Sequence, residues 1–442
     1  MSVFVVQGKP RLKGSFRVSG NKNEALPAVA ASLLCPERVT LTNVPNIGDI
    51  RSMLAIAGEL GAEVGPIEGE ATTIRARRIA SSSLPLDLGS SIRGSILFAS
   101  ALLVRTGRAV ITQPGGDAIG RRRVDTHFLV LQALGARLTM KRRVSRQQPH
   151  IVFSLSAPRG LTGAKIYLDE ASVTATENAL IAAAGARGTT HIVNAASEPH
   201  VQGLCRMLVA MGAEIEGIGS NVLTVHGTSS FKAVTHELGS DYIEAGSLIG
   251  LAAATRSAIT VTNIDPETMR MILFQFERIG VLTRTHPRRR AIVVPPNQKP
   301  IIHKDLGGAI PKIEDSPWPG FPADLTSIIL VTATQCQGTC LVHEKMFESR
   351  LFFVDKLIGM GAEIVLCDPH RAVVVGPSPL YGSTLASPDI RAGMALLIAA
   401  LAAEGQSTIQ NIEQIDRGYE NIDGRLRALG AHIERIDRPA VS

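Results

Sequence analysis

The chain has 442 residues, 45% of them hydrophobic and 19% charged, with a formal net charge of +7. Aromatic residues make up only 4%, too few for the stacking platforms of a nucleic-acid-binding module, so the positive balance is read as suited to a small anionic ligand. There is no run of about 18 apolar residues, no signal-peptide pattern at the N-terminus and no metal-knuckle spacing among the five scattered cysteines, so the expectation is a cytoplasmic α/β protein with no membrane insertion, metal or cofactor.

Six stretches rich in small and apolar residues read as helices, over 24–35, 95–104, 178–184, 245–254, 325–333 and 392–403. A β-rich strand follows, as in Val39-Thr40-Leu41-Thr42-Asn43 and Ile259-Thr260-Val261-Thr262-Asn263. Then come a loop, a second helix and a glycine phrase: Leu60-Gly61-Ala62, Leu134-Gly135-Ala136, Met211-Gly212-Ala213, Ile279-Gly280-Val281, Met360-Gly361-Ala362 and Leu429-Gly430-Ala431. These glycines are 74, 77, 68, 81 and 69 residues apart, giving six copies of a unit of roughly 70 residues in which a helix ends at a Gly cap and runs into a strand. Alternating strands and helices predict layered sheets around buried helices, and the first helix of each unit, apolar nearly all round, belongs inside. Six units are too many for one core. A three-plus-three division near 234–240 is expected, with the chemistry in the cleft between domains; a solenoid of six equal units is the competing organisation.

Polar residues collect where each buried helix starts and in the loop before the second helix. The helix starts hold Lys22, Asn23, Arg93, Asp324, Asp389 and Arg391. The loops hold Asp117, Arg121 to Arg123, Asp125, Arg350 and Arg417. Helix N-termini attract anions, and cations mixed with two or three carboxylates suit a small polyanionic substrate and proton transfer.

Five stretches then carry a resemblance, in order and essentially end to end. They are Ser19-Gly20-Asn21-Lys22-Asn23, the loop Pro114 to Asp125, Phe321-Pro322-Ala323-Asp324, Phe347-Glu348-Ser349-Arg350, and Ile415-Asp416-Arg417-Gly418-Tyr419-Glu420 continuing through Leu426 to Ala431. The sequence resembles the UDP-N-acetylglucosamine enolpyruvyl transferases of peptidoglycan precursor synthesis. The resemblance implies a two-domain inverted α/β barrel of six βαββαβ units, with 22–239 as one domain and 1–21 plus 240–442 as the other. It implies transfer of the enolpyruvyl group of phosphoenolpyruvate to a hydroxyl of the nucleotide sugar, by addition and then elimination of phosphate. Lys22, Arg122 and Arg417 are implied to hold the phosphate of phosphoenolpyruvate, with Asn23 alongside. Arg350 and Arg391 are implied to hold its carboxylate or to order the surrounding loop, and Asp324 to assist deprotonation of the acceptor hydroxyl. Arg93, Arg122, Arg123, Val124, Asp125, Thr126, Ser172, Val173 and Met346 are implied to line the nucleotide-sugar site.

Asp117 stands where many members of that family carry a general-acid Cys and others Asp, which implies resistance to fosfomycin. Burial would raise its carboxyl from the ordinary value of about 3.9 and the adjacent arginines would lower it. The sequence departs from the family pattern at Glu170 and Gly48, where Lys is usual, and at Leu97, where Trp is usual. Arg123, in place of the usual Pro, is expected to restore the lost charge. These departures leave open a paralogous transferase with another acceptor and, from a different class, a non-catalytic regulator that binds a nucleotide sugar. Bland readings also stand beside the functional ones: Asp324 as a helix N-cap, and Arg350 and Arg391 as inter-domain salt bridges.

Overall fold

In the computed structural model the described residues are 2–116, 119–120, 123–145 and 148–437. They form two compact units, one of 20–116 and 123–239, the other of 2–19, 119–120 and 240–437.

Each unit is built around three mutually packed helices. In the first these are Lys22–Ser32, Phe98–Thr106 and Val173–Ala184. In the second they are Tyr242–Ala254, Thr326–Ala333 and Ile390–Ala402, every residue of which is buried. Ala, Gly, Ser and Thr dominate these helices because full burial on all sides needs short side chains if helix backbones are to approach and leave no voids. The starts expected from apolar pattern alone fell two to five residues late at Lys22–Ser32, Val173–Ala184, Tyr242–Ala254 and Ile390–Ala402, whose first turns carry polar residues, and early at Phe98–Thr106 and Thr326–Ala333, which short 3-10 turns precede.

Three sheets cover the three helices of each unit. A typical one pairs Lys13–Arg17 in parallel with Ala258–Thr262, which pairs antiparallel with Ala291–Val294, itself paired with Arg284–His286. The connecting helix is amphipathic: Pro266–Arg278 buries Met269, Ile272 and Phe276, three and four residues apart, along one stripe.

Two backbone devices recur. The six glycines of the repeated phrase all have positive φ: 104° at Gly61, 99° at Gly135, 113° at Gly212, 84° at Gly280, 107° at Gly361 and 101° at Gly430. That conformation follows the last helical turn and is costly for any residue with a Cβ. Four asparagines that end a central strand, Asn43, Asn194, Asn263 and Asn411, are also left-handed. Each donates its side-chain N–H to the carbonyl of the residue just beyond the neighbouring parallel strand: Leu238, Leu168, Val18 and Ser387, at 2.7–2.9 Å. These latches pin the strand exits beside the helix starts. In the second and fifth repeats the same position holds Gln113 and Glu344.

Cys35, Cys205, Cys336 and Cys340 are buried free thiols and Cys367 is exposed. Burial pushes the Cys340 thiol up to about 12. Among the described residues no helix is long and apolar enough to cross a membrane, and no His, Cys, Asp or Glu group could hold a metal ion.

The cap glycines separate two costs. A Cβ at Gly135 meets nothing within 4 Å, whereas at Gly280 it lies 2.3 Å from the Ile301 backbone nitrogen. Gly135→Ala is expected to cost about 1–2 kcal/mol through φ alone, and Gly280→Ala clearly more. Urea unfolding of both variants checks the order.

Candidate active site

In the unit of 20–239, Asn21 caps the helix Lys22–Ser32, its side chain accepting from the Glu24 N–H at 3.2 Å. Lys22 therefore leaves from the first turn. Its Nζ lies 2.8 Å from Asp49 Oδ2, with the two side chains only 8% and 7% exposed. Asp49 is the second residue of the helix Gly48–Glu59, so Gly48 is the first residue of that helix. Leu97 is wholly buried in the hydrophobic core of the unit, which accounts for an apolar residue there.

A second cluster gathers at the starts of the helices Asp125–Ala133 and Val173–Ala184. Arg123 donates to Asp125 at 3.2 Å and to Asp169 at 2.8 Å, and the hydrogen bond to Asp125, followed by the hydrogen bond and charge of Asp169, holds its guanidinium above the usual range. Arg93 donates to the Arg123 carbonyl. Thr126 donates to Asp169 at 2.7 Å and to Glu170 at 3.4 Å. Ser172 caps the helix beginning at Val173. Beside this cluster a cavity of ≈ 510 Å³ is lined by Arg123, Asp125, Phe128, Leu129, Gln132, Leu138 and Asp169. The expected Arg93, Arg123, Asp125, Thr126, Ser172 and Val173 thus belong to one unit, and the exposed Glu170 faces Thr126 at their edge.

The other unit centres on Asp324. It lies in a short 3-10 turn, Ala323–Leu325, leading into the helix Thr326–Ala333. It is the middle residue of that turn, and the N-cap positions are Pro322 for the turn and Leu325 for the helix, which overturns the N-cap reading. Instead Oδ1 accepts from Arg350 Nη2 at 3.0 Å and Oδ2 from Arg391 Nε at 3.1 Å. Arg350 and Arg391 are 3% and 5% exposed, Asp324 28%. Both arginine pairs lie within one unit and are not inter-domain salt bridges. Asp389 caps the helix Ile390–Ala402, accepting from the backbone N–H of Arg391 and Ala392, and so fixes where Arg391 leaves the helix. The Arg391 guanidinium lies 5.3 Å from the centre of the buried Tyr419 ring, whose hydroxyl meets Ser247 at 2.9 Å.

Two donors in this cluster are buried without a hydrogen bond, Arg391 Nη1 and Arg350 Nε, the latter 3.6 Å from Glu344 Oε2. An unmade bond of that kind costs about 1–3 kcal/mol, and a bound anion supplies the missing acceptor. Arg417, at the end of the helix Glu413–Asp416, donates to Gln414 at 2.7 Å. Met346 is 39% exposed, and its backbone N–H donates to Asp315 at 3.2 Å. Asn23 is half-buried in the first turn beside Lys22, and Val124 is the residue before the helix Asp125–Ala133. Asp117 and Arg122 lie outside the described residues.

Glu344 was not legible as a site residue. It is fully buried, its Oε1 accepts from the Phe347 N–H at 3.1 Å and its Oε2 lies 3.6 Å from Arg350 Nε. The signal that could have found it is the repeat itself, since four other copies have Asn at the strand exit. The buried Asp315 accepts from Lys345 and Met346 N–H on the neighbouring strand exit. Asp241 was also missed; it caps the helix Tyr242–Ala254, at the helix start of the fourth copy.

Burial, only partly offset by Arg350, pushes the Glu344 carboxyl up to about 8. A carboxyl with a folded value above its unfolded value of about 4.3 binds more protons when folded, so its contribution to stability falls as pH rises from there to about 8. Glu344→Gln is expected to flatten the loss of stability between pH 5 and 9, read from denaturant midpoints across that range.

A sequence profile described as EPSP synthase (3-phosphoshikimate 1-carboxyvinyltransferase) matches residues 6–426. The UDP-N-acetylglucosamine 1-carboxyvinyltransferase of Treponema denticola is 52% identical over 434 residues, 98% of this chain and 99% of that protein. The protein of the same name from Bradyrhizobium diazoefficiens is 52% identical over 433 residues, 98% of each. Among solved structures, the enolpyruvyl transferase NikO from Streptomyces tendae superposes with a TM-score of 0.85 at 26% identity, over 99% of both chains. The EPSP synthase of Acinetobacter baumannii shares the fold, with a TM-score of 0.74 at 18% identity over 99% of this chain and 100% of that one.

Proposed function

Because the chain belongs to the EPSP synthase family of enolpyruvyl transferases, we propose that it transfers the enolpyruvyl group of phosphoenolpyruvate to the 3′-hydroxyl of UDP-N-acetylglucosamine, releasing phosphate. Full-length relatives at 52% identity carry that activity in their names. The structural observation that supports it most is Arg391, a buried guanidinium with an unpartnered N–H, held against Asp324. A cation that needs an anion sits beside a carboxylate able to take a proton, and the reaction requires both.

In this reading the acceptor hydroxyl attacks C2 of phosphoenolpyruvate while C3 receives a proton. The tetrahedral intermediate then expels phosphate as C3 gives a proton up. Asp324 takes the proton of the hydroxyl, and Asp117 serves C3. Lys22, Arg122 and Arg417 hold the phosphate with Asn23 alongside, while Arg350 and Arg391 hold the carboxylate. Arg93, Arg123, Val124, Asp125, Thr126, Ser172, Val173 and Met346 receive the nucleotide sugar, and Arg123 supplies charge opposite Glu170. Fixed cations stabilise the developing charge most where water is excluded. The compartment proposed is the cytoplasm, in keeping with five free thiols in a reducing environment.

Lys22→Ala and Arg417→Ala are each expected to lower phosphate release by more than about a hundredfold, as loss of a transition-state donor does, with an unchanged circular dichroism spectrum. Near-normal turnover in either variant removes that residue from the phosphate site.

Fosfomycin resembles phosphoenolpyruvate and, in this family, alkylates the loop cysteine that Asp117 replaces. A carboxylate is a weaker nucleophile than a thiolate, and none of the five cysteines lies between 114 and 125. The wild-type enzyme is expected to resist time-dependent inactivation, and Asp117→Cys to become sensitive with one adduct at residue 117 by mass spectrometry. Rapid stoichiometric labelling of the wild type contradicts this.

A further inference from the structure

The second repeat departs from the other five at its outer edge. In the other sheets the outermost strand is Glu63–Val64, Glu214–Glu216, Arg284–His286, Glu363–Asp368 or His432–Asp437, two to six residues long. Here it is Arg137–Ser145, nine residues, paired with the nine-residue strand Gln148–Ser156. The inner strand Arg108–Thr112 pairs only as far as Val152. The Gln113 N–H still donates to the Ile151 carbonyl at 2.9 Å, and from Arg143 opposite His150 onward the pair continues as a ribbon with no third strand among the described residues. The repeat does not need this extension: the other outer strands close their sheets with six residues or fewer.

Its composition is one-sided. Between 137 and 156 there are five Lys or Arg residues and no Asp or Glu. Lys141, Arg142 and Arg143 are all exposed, and among the described residues no ion pair engages any of them. Met140 and Val144 are 61% and 73% exposed. Strand alternation puts these two on one face with Arg142 between them, and Lys141 and Arg143 on the other. Apolar side chains presented to water in the middle of a cationic strand gain nothing in the isolated protein.

We propose that this ribbon is a docking element for a bilayer surface carrying anionic phospholipid headgroups. The cations draw the ribbon to the negative surface, and Met140 and Val144 enter the headgroup boundary while the flanking side chains keep their charges at the phosphates. A nucleic acid would share the electrostatics but wants aromatic platforms, and 137–145 contains no Phe, Tyr or Trp. An acidic protein segment would leave the two apolar side chains without a role. The consequence is a peripheral, salt-sensitive enzyme held at the membrane face.

The test is co-sedimentation of the full chain with vesicles of neutral phosphatidylcholine, alone or mixed with phosphatidylglycerol, at low and physiological salt. Binding is expected only to the mixed vesicles, and weaker at higher salt. Lys141→Glu, Arg142→Glu and Arg143→Glu combined are expected to reduce it at least about tenfold. Met140→Ser with Val144→Ser is expected to reduce it several-fold at unchanged charge. Both variants are expected to keep the wild-type circular dichroism spectrum and phosphate release, since these residues have no place in the proposed catalytic machinery. Absence of binding to mixed vesicles, or full binding by the charge-reversed variant, overturns the proposal. Full binding by the serine variant, together with equal affinity for soluble polyglutamate or for RNA, identifies general polyanion attraction and overturns it as well.

Discussion

Burial of three helices in each unit, complete in the unit of 240–437 and nearly so in the other, is the constraint on which the rest depends. A helix with neighbours on every side can offer polar groups only at its ends, where the first backbone N–H groups remain unpaired. Caps then decide where the emerging side chains leave the protein interior. Asn21 does this for Lys22, Ser172 for Val173, and Asp389 for Arg391. Small residues inside these helices and charged residues at their starts are two expressions of the same packing requirement.

Asp324 shows what a place inside the turn, next to the cap and not at it, provides. It stands inside its turn and not at a cap position, and its two oxygens accept from Arg350 and Arg391. The three side chains come from segments far apart in sequence and hold one another in place. Glu344 extends the group behind Arg350, and Tyr419 with Ser247 extends it behind Arg391. Such a network is pre-organised: the side chains that would meet an anion are oriented before it arrives, which is how fixed dipoles and charges become effective in catalysis.

Much of this was legible in the sequence because repetition makes weak local signals add. One Gly after a helix says little; six at similar spacing defined the unit, and all six adopt the left-handed conformation that only glycine takes readily. The helix-start residues Lys22, Arg93, Asp324 and Arg391 stood out because charge interrupts an apolar run. What the sequence hid depends on contacts across the fold. Glu344 sits at the end of a strand and reads as surface until burial reveals it. Asp241 is of a type that favours the N-cap, and it was hidden because the apolar run placed the helix start at 245 and not directly after it. Whether Asp324 capped its helix could not be decided from residue type, since Asp suits both capping and arginine pairing.

The asparagine latches at the strand exits have a consequence for how such a scaffold can change. Four copies retain the same hydrogen bond, while the second and fifth carry Gln113 and Glu344 instead. A structure specified in multiple copies does not depend critically on each one. Redundancy lets one copy surrender its structural residue without loss of the whole, and the vacated position, at a strand exit close to a helix start, is open to acquiring chemistry. In the fifth copy an acid stands there, against Arg350.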